Sequence, residues 1–177
     1  MKAIDLNARR LAALLALSLG TGLTAGLASA DSRGSLQPQQ VLPPYQQECA
    51  ACHLAYPPGM LPARSWHRIM TGLERHYGTD ASLDAATVLQ IGQWLESQAG
   101  SYKRAPTTPP PEDRITRSAW FERKHRELDA AVWRHASVKS AANCAACHSR
   151  AEQGRYGERE LRIPVGLPDR FWHAFED

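Results

Sequence analysis

All four cysteines of this 177-residue chain fall in two copies of one pentapeptide, Cys49-Ala50-Ala51-Cys52-His53 and Cys144-Ala145-Ala146-Cys147-His148. Two thiols three positions apart sit about one helical turn from each other, so both can reach the vinyl groups on one edge of a porphyrin. The histidine that follows then swings beneath the ring and offers a nitrogen to iron, and the alanine spacers leave the macrocycle room to lie against the chain. C-x-x-C-H is the attachment signature of a c-type haem. A structural zinc site has no need of a histidine directly after the second cysteine in each copy, and its cysteine pairs are normally much closer in sequence. A redox CxxC expects a strand-to-helix context that is absent here, and disulfides within the motifs would close tiny, strained loops. The expectation is two covalently held c-type haems, with Cys49, Cys52, Cys144 and Cys147 as attachment points and His53 and His148 as the first iron ligands.

The N-terminus fits this chemistry. Lys2, Arg9 and Arg10 precede an apolar run that reaches Ala28-Ser29-Ala30, the order of a cleavable export signal over residues 1–30. Gly20, Thr21, Gly22 and Thr24 dilute the run and weaken the alternative of a membrane anchor. The expected destination is a bacterial periplasm, with no membrane insertion once the signal is removed. Of 21 Lys+Arg and 18 Asp+Glu, the leader holds Lys2, Arg9, Arg10 and Asp5, which leaves 18 against 17. A nearly neutral mature chain makes no case for a nucleic-acid partner.

Residues 31–44 read as a flexible, polar lead-in, and the four prolines of residues 105–114 as an extended spacer. They delimit an N-terminal haem domain over 31–104 and a C-terminal haem domain over 115–177, each too small to build an ample core unaided. A haem plate in each would supplement it, with the five tryptophans as pocket and core material. Apolar spacing is helical. Ser65 is expected to cap a helix carrying Trp66, Ile69, Met70, Leu73 and Tyr77 and ending at Gly78, and a second helix runs from near Ser82 to Gly100. Ser118 is expected to open a helix bearing Phe121, Leu128 and Val132, and 141–148 a short one. Leu161 to Pro164 reads as an extended piece, and no run of alternating β-branched residues appears. The fold class is therefore mainly α with much loop.

What closes the second face of each iron decides the chemistry. In the first half the candidates are His67, His76, Met60 and Met70; helical geometry barely separates the two histidines, with His76 favoured by its place at a helix end. In the second half His125 lies in the apolar stripe and is preferred to His135, while His173 belongs to the tail. Seven basic residues between Arg114 and Lys139 read as a solvated face, some of them available to haem propionates or to an acidic partner.

The stretches CAACHLAYPPGMLPARSWHRIMTGLERHYGTDASL, ITRSAWFERKHRELDAAVW, NCAACHSRAE and LRIP resemble the dihaem cytochrome c family of bacterial periplasms. That resemblance implies a cytochrome-c-like N-terminal haem domain, a smaller loop-rich C-terminal haem segment, and low-spin irons each bound by two histidines. The matching LERHYG and RKHRE segments point to His76 and His125. It also implies a membrane cytochrome b as donor and a small soluble haem protein as acceptor. With both irons closed the chain is expected to carry electrons at low potential rather than to be an enzyme. The rivals are a dihaem peroxidase-like enzyme or sensor with one open iron, and a permanent haem subunit of a membrane oxidoreductase docked through LPDRFWHAFED.

Overall fold

The computed structural model describes residues 34–176; the export signal expected over 1–30 lies outside them. Among the described residues there are five α-helices, several short 3-10 turns and no strand, only isolated bridges. The helices are α1 (Pro43–Cys49), α2 (Ala63–Met70), α3 (Ala85–Gln98), α4 (Ala119–Lys124) and α5 (Ala130–Arg134). None is long and apolar enough to cross a membrane.

A first core forms where α2 packs on α3, burying Trp66 and Met70 against Ile91 and Leu95, with Tyr45, Ala55 and Leu61 completing it. Asp84 opens α3 by accepting from the backbone N–H groups of Ala86 and Thr87, so the helix starts a little later than Ser82 suggests. The chain leaves through Gly100 at φ 62°, whose N–H donates to the Leu61 carbonyl. Gly59 is required by close approach: a Cβ there would lie 2.5 Å from Ser101 Oγ and 3.0 Å from the Tyr102 nitrogen.

α2 departs from expectation at both ends. It begins at Ala63 after Pro62 without a side-chain cap, and Ser65 lies fully buried inside its first turn. It stops at Met70 rather than running to Tyr77. The Thr71 hydroxyl turns back to the His67 carbonyl, Gly72 follows, and a separate 3-10 turn, Leu73–Arg75, resumes the path.

The second core gathers Val132, Val138, Leu167 and Phe171. Ser118 does open a helix, its hydroxyl accepting from the Phe121 N–H, but that helix is cut in two. α4 ends at His125, and Asp129 starts α5 by accepting from the Ala131 N–H; a strong cap in mid-stripe competes with continuation. The helix expected over 141–148 is only a 3-10 turn, Cys144–Ala146. Leu161, at the head of the extended piece, pairs with His148 in an isolated bridge.

Neither segment read as plain linker behaves as one. In the lead-in, the Leu36 N–H donates to the Gly154 carbonyl at 2.7 Å, the Ser35 hydroxyl to the Gln153 carbonyl at 2.7 Å, and the Gln37 amide to the Ala55 carbonyl at 2.8 Å. Residues 35–37 thus strap chain near the first motif to chain beyond the second. In the proline-rich segment, Glu112 and Asp113 adopt φ 56° and 55°. Arg68 grips the Asp113 carboxylate through two nitrogens, and the Tyr77 hydroxyl donates to the Glu112 and Asp113 carbonyls at 3.2 Å.

Candidate haem-binding sites

The first site begins where α1 ends. Pro43 starts that helix, where a missing N–H costs nothing, and Cys49 is its last residue. Cys52 and His53 follow in the next turn, both exposed. His53 Nδ1 lies 2.7 Å from the Leu54 carbonyl, which makes it the protonated nitrogen and leaves Nε2 with a free lone pair.

Facing it is His76. The 3-10 turn Leu73–Arg75 delivers this residue, and Tyr77 (φ 51°) and Gly78 (φ 96°) turn the chain sharply behind it. The rings of His53 and His76 are 6.0 Å apart between centroids and only 15° from parallel. Two metal–imidazole bonds of about 2 Å, each extended by about 1.1 Å to the ring centre, place opposed ligands about 6.2 Å apart. Burial, then the nearby His53 and Arg114, lower the His76 pKa, favouring the neutral ring a ligand requires. His67 looks elsewhere: its side chain is 65% exposed and sits 3.1 Å from Glu96. Met70 fills the first core.

The second site is a cavity of about 810 Å³, and Cys144, Cys147, His125 and His148 all line it. Its volume lies within the range that encloses a cofactor. Phe121, Leu128 and Trp133 supply apolar wall, and Arg104, Arg123, Lys124 and Arg126 supply positive charge. Met60, from the first half of the chain, also lines it. His125 ends α4 with Nδ1 2.9 Å from the Phe121 carbonyl, so its Nε2 is likewise the free nitrogen. The ring stacks on Phe121 at 4.0 Å and meets His148 at 6.2 Å, the planes 85° apart. Burial, then His125, pushes His148 down to about 4, and burial lowers His125 too, so this pair is neutral at ordinary pH. His148 Nδ1 is buried with no partner among the described residues. His135 instead bonds Ser137 at 2.8 Å, and His173 sits by the Arg170 carbonyl.

No disulfide pairs the four cysteines, and burial pushes the Cys49 and Cys144 thiols up to about 11. Among the described residues no three His, Cys, Asp or Glu side chains converge as a metal cage. The imidazoles come instead in facing pairs, each beside a pair of thiols. That donor set suits a porphyrin, which brings four nitrogens of its own and needs only axial ligands and two points of attachment. Some contributors had no sequence signal: the strap, Met60 in the second cavity, and Arg162, whose guanidinium donates to the Ala145 carbonyl at 2.6 Å and steadies the second motif.

A mainly helical chain with two such sites is, in class, a c-type cytochrome. Residues 45–156 match the family described as dihaem cytochrome c. The chain is similar to the dihaem cytochrome c of Shewanella baltica OS155, with 35% identity over 70% of this chain and 93% of that one and a TM-score of 0.60. It is also similar to the dihaem cytochrome c of Rhodobacter sphaeroides, at 38% identity over 66% of this chain and 97% of that one, TM-score 0.57. A further structure of the protein from that organism gives 41% identity, 66% and 98% coverage and a TM-score of 0.56. No curated protein matches. The chain belongs to the dihaem cytochrome c family, carries two c-type haems, and is in class a haem-based electron carrier.

Proposed function

We propose that His53 with His76, and His125 with His148, ligate the two irons from both sides, and that the protein relays single electrons in the periplasm between a membrane cytochrome b and a small soluble haem protein. The observation that carries the reading is the pair of imidazole separations, 6.0 Å and 6.2 Å, which match opposed ligation of one metal. When bound, each haem supplies a one-electron couple between ferric and ferrous iron. Hydrogen bonds to the Leu54 and Phe121 carbonyls hold His53 and His125 in the tautomer that presents Nε2. Histidine on both faces leaves no position for a reactant, which disfavours a peroxidase-like role. Imidazole in place of methionine also lowers the potential, because the thioether favours the ferrous state.

The two sites differ in access. Cys52 and His53 are exposed, whereas the second motif lines a large cleft and Cys147 is buried. The first site therefore offers the more open face for a partner, and Arg104 and Arg123 are placed to meet propionate charge at the second. The leading apolar run and its A-x-A motif support export. The test is optical and EPR spectroscopy of the purified holoprotein with carbon monoxide added to the ferrous form. Two low-spin haems that bind no gas are expected; gas binding at either one rejects the ligation and returns the enzyme or sensor reading.

A further inference from the structure

The two motifs meet at a seam built from tyrosines. Tyr56 stands three residues beyond His53, and its ring stacks on that histidine at 5.2 Å and 26°. Its hydroxyl crosses to the other half of the chain and donates to the Ala142 carbonyl at 2.7 Å. The Cys144 thiol leans on the same carbonyl at 3.7 Å. Thioether formation consumes that S–H, leaving Tyr56 as its remaining donor. From the other side, the Tyr45 hydroxyl donates to the Tyr56 carbonyl at 2.5 Å, and Tyr45 belongs to α1, the helix that ends in Cys49. Tyr56 is therefore fixed at its backbone to the first attachment helix and at its tip to the second motif.

Tyr156 stands beside the second motif. Its ring meets His148 edge-on at 5.4 Å, and its hydroxyl is buried with no partner among the described residues. Tyr56 thus packs on the His53 ring and Tyr156 on the His148 ring, one phenol beside the histidine of each motif.

We propose that Tyr56 and Tyr156 are positioning residues that set the separation and relative placement of the two haem groups, and so the rate at which an electron passes between them. The proposal rests on the ligation reading above. In the step considered, one iron is oxidised as the other is reduced; one electron moves and no proton does. Burial holds both phenols in the neutral form, so they act as spacer and tie rather than as redox partners.

The experiment uses the holoprotein with both haems attached, as wild type, Y56F, Y156F and Y56L. One electron is delivered by flash reduction and its redistribution between haems is followed by absorbance; pulsed EPR of the ferric protein reads the distribution of inter-iron distances. Because electron tunnelling weakens exponentially with separation, a severalfold slowing is expected for Y56L, with a broadened distance distribution. Y56F keeps the ring and loses only the tie to Ala142, so an intermediate slowing with unchanged low-spin spectra is expected. Should Y56L fail to fold, the isosteric Y56F decides the question. Exchange and distances identical to wild type in Y56F and Y156F, with both haems low-spin, would overturn the proposal even if the melting temperature fell. Failure of the underlying ligation reading has its own signature, a wild-type iron that takes up carbon monoxide, and would remove the proposal with it.

Discussion

Under the proposed ligation, replacing His125 with alanine opens one face of the second iron. His125 is the half-buried ring between Phe121, at 4.0 Å, and Trp133, at 5.7 Å, and among the described histidines it is the one that faces His148 in the second cavity. Since the chain carries two haems, the substitution is expected to convert half of the low-spin iron and to create uptake of one carbon monoxide per chain where the wild type takes up none. Added imidazole should refill the space and restore the low-spin spectrum. Truncating a ring packed this way costs about 2 kcal/mol, a fall of roughly 4–8 °C in melting temperature for a domain of this size. The assay is a gas titration of the ferrous holoprotein, read against the haem content. H135A serves as the control, since His135 bonds Ser137 instead, and it should leave both haems low-spin. If H125A keeps two low-spin haems while H135A loses one, the facing-ring argument is wrong.

Three further outcomes are expected. The axial planes lie 15° apart at the first site and 85° apart at the second, so ferric EPR should resolve two low-spin species, one rhombic and one strongly anisotropic; a single rhombic species would show that the ring orientations are not kept. G154A forces a side chain onto φ 69° with its Cβ 2.6 Å from Gln37, so it should release the strap and lower the melting temperature by about 3–8 °C; an unchanged transition would mean the strap contributes nothing. Asp113 has its carboxyl held below the ordinary aspartate value of 3.8: burial opposes this, and the Arg68 hydrogen bonds and charge outweigh it. The unfolded chain then binds the proton more readily, so this stabilisation is present above pH 3.8 and disappears as pH falls through the lower folded value. D113N should lose that segment of the acid limb in a pH series of thermal unfolding; parallel wild-type and variant curves below pH 4 would refute it.

Several of these features could be read from residues in order along the chain. The CAACH repeats carry their chemistry in local spacing, because attachment to one porphyrin edge needs only two thiols a helical turn apart and an adjacent imidazole. Helical stripes and the Ser118 cap were legible for the same reason, being short-range. Where strong local signals collided, periodicity misled: Asp129 cut a continuous stripe into α4 and α5, and Thr71 with Gly72 ended α2 early. The proline-rich segment and the lead-in looked like spacers because their partners, Arg68 and Tyr77 in one case and Gln153 and Gly154 in the other, are far away in sequence.

The choice among distal histidines shows the boundary most sharply. Helical geometry left His67 and His76 nearly equivalent, and only the turn through Tyr77 and Gly78, which carries the chain back over the first motif, separates a ring facing His53 from one paired with Glu96 in solvent. The primary structure by itself determined that the chain would be mainly helical and would hold two haems covalently, since these properties reside in contiguous residues. Tertiary structure alone decided which imidazoles face each other, that the first motif is exposed while the second lines a cleft, and that Tyr45 and Tyr56 tie the two motifs together. Those outcomes depend on contacts between residues up to about a hundred positions apart, whose meeting is settled by how the whole chain buries its apolar surface.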